Sequence, residues 1–237
     1  MLVHQGSGRT EAFDRRLAVS LATIAGALNA AAFHAVGFFS ANMTGNVSIF
    51  SDRVASGHLL PAFGFFAIVI AFISGATVSS LLINAGRRRK IPGIFAYSIL
   101  AEAVLLAPLG LADIWLREAW RVPLIVMALS FLMGLQNAVV TRISNARVRT
   151  THVSGMATDI GIELGNLLDV ARGREAFDQA SNDRSKLLLH VQTVIAFLLG
   201  GVAGVIGYAF IAGGLFLLAS AVLFSIALSG IFAARGD

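Results

Sequence analysis

Six stretches of this chain, 17–33, 61–85, 91–112, 122–140, 187–210 and 212–234, are apolar for long enough to cross a lipid bilayer. A helix rises 1.5 Å per residue, so a hydrocarbon core of about 30 Å takes roughly 17–25 residues. In lipid only helices and closed barrels satisfy every backbone N–H and C=O, and these runs lack the period-two alternation of barrel strands. The expectation is an all-α integral membrane protein with six transmembrane helices. Composition agrees: 57% of the 237 residues are hydrophobic and 13% charged, about half the charge of a soluble domain. That balance excludes an ordinary soluble enzyme, a nucleic-acid-binding domain and a disordered chain. With no cysteine there is no disulfide, thiolate metal site or thiol catalysis. Segment 1–16 is polar and lacks the apolar core of a cleaved signal peptide, so it reads as a tail.

The net charge of +5 reports orientation rather than a nucleic-acid partner. Of the 18 Lys and Arg, only Arg53, Arg117 and Arg121 fall outside when the N-terminus is placed in the cytoplasm, leaving 15 inside. This asymmetry predicts both termini in the cytoplasm. Trp115 and Trp120 then lie in an outer loop, 113–121, at the depth of an interfacial belt. Pro61, Pro92 and Pro123 mark helix starts, where a missing N–H costs nothing, and Pro108 is expected to kink the third span.

The chain also repeats itself. Gly26-Ala-Leu-Asn29-Ala30 matches Gly134-Leu-Gln-Asn137-Ala138, and Thr44-Gly45 matches Ser154-Gly155. Val69-Ile-Ala-Phe72 with Gly75 matches Val194-Ile-Ala-Phe197 with Gly200, and the run 100–105 matches 218–223. The offsets are 108, 110, 125 and 118 residues, in chain order, with a polar insertion near 169–186 accounting for the largest. Repeat 1 is taken as 17–112 and repeat 2 as 122–234, followed by a tail at 235–237. Each holds three spans, an odd number, so the second copy enters the membrane inverted. Secondary transporters are commonly built this way, with their sites at the repeat interface.

The informative segments follow spans one and four. Segments 37–46 and 150–155 are polar and glycine-punctuated, and a helical pattern resumes after each. Irregular backbone at membrane depth must be buried in protein or line a wet cavity. A short broken or re-entrant helix is therefore expected after each of these spans, capped by Thr44 or Asn42 in the first repeat and by Thr151 or Ser154 in the second. Two such N-termini converging on one axis suit a small anion or carboxylate. The substrate-binding candidates are Asn29, Thr44, Gly45, Asn46, Gln136, Asn137, Ser154 and Gly155. The Asn29 and Asn137 amides suit solute binding, bracing of the cavity backbone or interhelical pairing alike. Glu102 stands in the middle of a span and Asp159 shares a helix face with Glu163; both are candidates for proton or ion coupling. His34 and His152 lack a third ligand, so no metal or other cofactor is expected. Gly200, Gly204 and Gly207 form a stripe for close helix packing.

At these residues the chain resembles the YoaK family of small bacterial membrane proteins, a domain family of unknown function. The resemblance runs from about Arg16 to Phe232 and is carried by Asn42-Met-Thr-Gly-Asn46, Met133-Gly-Leu-Gln-Asn-Ala138 and Thr150-Thr151 with Ser154-Gly155. It implies a six-helix inner-membrane protein and supplies no substrate, cofactor or catalytic residue. The family often carries Asp where this chain has Asn29, and Thr where it has Ser154.

The leading functional expectation is a small transporter or permeation protein for a compact polar, anionic or carboxylate-bearing solute. The alternatives are a non-transporting module that assembles with or senses for a partner protein, through a basic face including Arg87–Lys90, and a channel. No nucleophile–base or metal constellation supports enzyme chemistry. The expected partners are the bilayer and the solute, with homodimerisation left open.

Overall fold

A computed structural model of the chain describes residue 2, residues 10–173 and residues 177–236, with backbone alone over 177–182. Arg9, Arg174 and most of the expected N-terminal tail lie outside the described residues. Among those described, the chain is all-helical: α1 (Glu11–Val36), α2 (Met43–Ala55), α3 (Leu59–Arg88), α4 (Ile94–Trp115), α5 (Glu118–Ile143), α6 (Val153–Ala171), α7 (Phe177–Ile211) and α8 (Gly214–Gly236). Six of these, α1, α3, α4, α5, α7 and α8, are long and apolar enough to cross a membrane. The protein is a multi-pass membrane protein.

Each predicted span is present, and most are longer than the apolar run alone. Helix α1 begins a turn and a half before the apolar run, at Glu11, because Thr10 caps it and Asp14 and Glu11 sit favourably at its positive end. It stops at Gly37, whose φ of 76° is the left-handed conformation that a helix C-terminus uses. The outer loop expected at 113–121 shrinks to Leu116 and Arg117, both extended. Trp115 and Trp120 are therefore helical, and both are largely exposed, as interfacial side chains should be. Pro123 does not mark a helix start: α5 begins at Glu118 and runs through it, as α4 runs through Pro108. The insertion expected near 169–186 is largely helix, with α6 reaching Ala171 and α7 beginning at Phe177.

Three helix pairs hold the bundle together: α1 with α7, α3 with α5 and α4 with α8. Small residues let their backbones touch. A Cβ on Gly26 would run into the Phe197 carbonyl, and one on Gly200 into the Thr23 carbonyl. The α3–α5 pair is made the same way, with Gly134 against the Phe72 carbonyl and Gly75 against that of Phe131. Gly200 faces Thr23 and Gly204 faces Ala27, an equal advance along both chains, so α1 and α7 run parallel. Helices α4 and α8 run antiparallel, since Gly110 meets Gly213 whereas Gly93 meets Ala234. Gly207 leaves the expected stripe and faces Leu215 of α8. The core, including Leu21, Leu28, Ile99, Leu106, Leu129, Leu132 and Phe216, comes mainly from α1, α4, α5 and α8. Helices α3 and α7 are mostly exposed, and the short α2 and α6 pack on them from outside.

Gly26→Ala and Gly134→Ala should each lower stability by roughly 1–3 kcal/mol, because the added methyl meets backbone that cannot yield. Gly161→Ala, which faces open space on α6, should be neutral or stabilising by up to about 1 kcal/mol through helix propensity. Thermal unfolding of the three variants in detergent checks this contrast.

Candidate functional site

The chain leaves helical geometry after α1 and after α5, and both excursions are tied back to the helix they left. Ala41 N–H donates to Asn29 Oδ1 at 2.8 Å, across 12 residues. Thr151 Oγ1 donates to Asn137 Oδ1 at 3.0 Å, across 14 residues. In the first excursion the Phe39 ring also stacks on Phe33, with centroids 4.2 Å apart, and Asn46 Nδ2 donates to the Phe39 carbonyl at 3.3 Å. The second takes an extra turn, with Asn145 and Ala146 at positive φ. There Ser144 Oγ accepts from Val148 N–H at 3.0 Å. Asparagine at these two positions thus acts first as a brace: its oxygen accepts from the departing segment, from the Ala41 backbone N–H in one case and the Thr151 side-chain hydroxyl in the other.

The short helices begin where the excursions end. Asn42 caps α2, accepting from Gly45 N–H at 3.0 Å, one of the two caps expected. The α6 N-cap is neither Thr151 nor Ser154 but His152, which makes no side-chain cap bond. Thr151 is diverted to Asn137, and the His152 ring lies 3.3 Å from an Arg149 guanidinium nitrogen. Gly45 and Gly155 each stand three residues after the cap, where a Cβ would collide with the Asn42 amide or the His152 ring. The paired glycines make room for the cap side chains.

Between the two N-termini lies a cavity of about 910 Å³. Asn42, Thr44, Gly45 and Ser48 line it from α2, His152 and Ser154 from the start of α6, and Asn29, Asn137, Thr141, Thr151 and Arg149 from the flanking segments. Phe39, Phe72 and Phe197 contribute apolar wall. Arg149 is the one lining residue with a fixed formal charge, and no Asp or Glu lines the cavity. Among the described residues no carboxylate pairs with Arg149.

The sequence-derived candidates divide clearly. Asn29, Thr44, Gly45, Asn137 and Ser154 line this cavity together; Asn46, Gln136 and Gly155 do not. Asn46 is buried beneath α2 in its bond to Phe39. Gln136 is fully buried and donates to Glu102 Oε1 at 2.9 Å. Glu102 is itself buried between α4 and α5, away from the cavity, and Ser220 Oγ donates to the adjacent Ala103 carbonyl at 2.7 Å. Asp159 lines a different cavity, of about 380 Å³, at the end of the bundle near the start of α1. Three pairs form there: His190 with Glu163 at 3.0 Å, Arg147 with Asp14 at 3.5 Å and Lys186 with Asp183 at 3.8 Å. Arg149 lines this cavity too, so its guanidinium stands between a carboxylate-bearing opening and the carboxylate-free one between α2 and α6.

A family profile, "Protein of unknown function (DUF1275)", matches residues 17–229. The chain belongs to the DUF1275 family. It is also similar to the UPF0700 transmembrane protein YoaK of Bacillus subtilis (strain 168), with 22% identity over 165 residues covering 69% of this chain and 70% of that protein. No solved structure gives a significant match. The three motifs that carry the family resemblance, 42–46, 133–138 and 150–155, converge on the cavity through Asn42, Thr44, Gly45, Asn137, Thr151 and Ser154.

Sequence reasoning missed Arg149, Thr141 and Ser48. Arg149 was counted as one more orientation charge, although it directly precedes the Thr150-Thr151 motif. The brace uses only an acceptor oxygen at position 29. Asn29→Ala should leave the Ala41 N–H unpaired and cost roughly 1–3 kcal/mol, whereas Asn29→Asp should lose less. Thermal unfolding of the two variants side by side makes the comparison.

Proposed function

We propose that this protein is a small transporter or permeation protein that binds a compact anionic or carboxylate-bearing solute between the N-termini of α2 and α6. The observation carrying this reading is the cavity's electrostatics: two helix N-termini and the Arg149 guanidinium border it, with no carboxylate among its lining residues. Helix N-termini present unpaired N–H groups and the positive end of the macrodipole, so together they form a natural anion cradle. Ser48, Thr44, Thr141, Ser154 and the two asparagines add neutral hydrogen-bonding groups, and the phenylalanines exclude water from one side.

The transport part of the reading rests on inverted three-helix repeats. Supporting it, two close backbone contacts have counterparts at the repeat-equivalent residues: Gly26 on Phe197 with Gly134 on Phe72, and Gly200 on Thr23 with Gly75 on Phe131. The braces Asn29–Ala41 and Asn137–Thr151 correspond likewise. In this reading both termini face the cytoplasm, the cavity lies near the bilayer midplane, and alternating access arises as one α-helical arm rocks against the other. Glu102 and Asp159 take no direct part in holding the solute; coupling through either would act from behind the cavity wall.

Purified protein in detergent should gain thermal stability with a subset of small anions or carboxylates and none with matched cations or neutral sugars. A ligand at a hundredfold excess over Kd stabilises by about 2.7 kcal/mol. Arg149→Gln should weaken that binding roughly 10- to 100-fold, the worth of a charge-assisted hydrogen bond, while leaving the unliganded melting temperature near wild type. Selective stabilisation by cations, or anion binding indifferent to Arg149→Gln, would overturn the site. Liposome uptake of the stabilising anion then separates a transporter from a binding module.

A further inference from the structure

A second opening, unrelated to the repeat interface, lies between α1 and α7 on the side of their glycine crossing nearest the α1 N-terminus. It is a groove of about 780 Å³ whose lining changes character along its length. Arg15 and Arg16 stand at its head, Ser20 and Gln192 just beneath, and Val19, Ile195 and Leu199 along its deeper wall. Those three apolar side chains are 38%, 48% and 61% exposed, so the wall faces outward from the bundle. Among the described residues, Arg15, Arg16, Ser20 and Gln192 have no side-chain hydrogen bond or ion pair. No carboxylate lines the groove; Arg15 also borders the charged cavity lined by Glu11 and Asp14, where Asp14 is buried and paired with Arg147, whereas Arg16 lines the groove alone.

Depth gives this lining its meaning. Helix α1 has 26 residues, which at 1.5 Å each exceeds a hydrocarbon core of about 30 Å. Its first turns therefore extend into the headgroup region, which places two unpaired guanidinium groups at phosphate level with an apolar channel beneath them. Guanidinium pairs phosphate oxygens bidentately, and basic pockets between spans select anionic headgroups.

We propose that this groove is a binding site for an anionic glycerophospholipid of the leaflet facing the α1 N-terminus. Its phosphate sits between Arg15 and Arg16, Ser20 and Gln192 meet the glycerol and ester oxygens, and one acyl chain lies along Val19, Ile195 and Leu199 toward the crossing. A zwitterionic lipid fits the apolar channel equally but brings its own cation to two arginines, so selectivity resides in the head. The occupant bridges α1 and α7 where their glycine contact ends.

The test compares phosphatidylglycerol with phosphatidylcholine of identical chains on the wild-type protein, by native mass spectrometry and by thermal stability in mixed micelles. Phosphatidylglycerol should be retained and should raise the melting temperature more than phosphatidylcholine. The double variant Arg15→Gln/Arg16→Gln should bind it roughly 10- to 30-fold more weakly, at about 1 kcal/mol per basic residue near the surface. Its melting temperature in phosphatidylcholine should stay unchanged. Arg88→Gln/Arg89→Gln, at the exposed end of α3, should leave retention intact, and Ser20→Trp should reduce it by filling the groove without altering charge. Equal binding of the two lipids by the wild type would overturn the proposal, whatever the variants do. So would full retention in the Arg15/Arg16 variant, or equal binding of glycerophosphoglycerol without acyl chains, which would mark a free-phosphate site.

Discussion

A backbone that leaves helical geometry within a membrane span loses its own hydrogen bonds where no water replaces them. This chain leaves helical geometry after α1 and after α5, and each departing segment is tied back to the helix it left. In each case an asparagine two turns or less from the helix end lends its side-chain oxygen to the departing segment, to Ala41 N–H in one and Thr151 Oγ1 in the other. Once held, the segments lead into α2 and α6. The cavity between those helices follows from the braces. The asparagines therefore serve the site by supporting it, whatever else their amides contact.

The same positions require the flanking helices to be very close. Gly26 and Gly134 lie three residues before Asn29 and Asn137, and each puts its α-carbon against a backbone carbonyl, of Phe197 or Phe72. Lipid tails offer no hydrophobic drive for helix association, so close van der Waals contact between small residues takes that role. Gly26 and Asn29 thus combine a crossing and a brace within one turn of α1, and Gly134 and Asn137 do so in α5. The phenylalanines whose carbonyls receive the glycines also line the cavity, so helix packing and site shape share residues.

Polar groups elsewhere are sorted by whether they are satisfied. Asp113 is buried near the end of α4, where it accepts from Tyr208 Oη at 2.8 Å and pairs with Arg121 at 3.3 Å. The cavity near the start of α1 is rich in charge, and three of its acids, Asp14, Glu163 and Asp183, pair with basic groups there. These clusters tie helix ends together. The cavity between α2 and α6 and the groove between α1 and α7 differ in having arginines but no carboxylate among their lining residues, although Arg149 and Arg15 also border the charged cavity. An unpaired cation beside a cavity is the stronger indication of a ligand, and both are arginine, suited to planar oxyanions.

Much of this was legible in the sequence, because the bilayer restricts what an apolar run of span length can do. Six runs predicted six crossing helices, and polar glycine-containing segments between apolar ones predicted the breaks that became α2 and α6. Helix ends were less legible. Trp115, Trp120 and Glu118 read as loop by polarity and aromatic placement, yet helical hydrogen bonding continues into the interface where water and headgroups accept such side chains. The site was legible only where a residue's role is local. Asn42 marks a helix start by its own capping chemistry, but nothing local to Gln136 shows that its neighbour Asn137 faces the cavity while Gln136 turns to Glu102. Arg149 posed the same problem, since one arginine near a span end looks like any other by composition. Whether it has a counter-ion is decided by helices far away in the chain, and only the tertiary structure brings those helices to it.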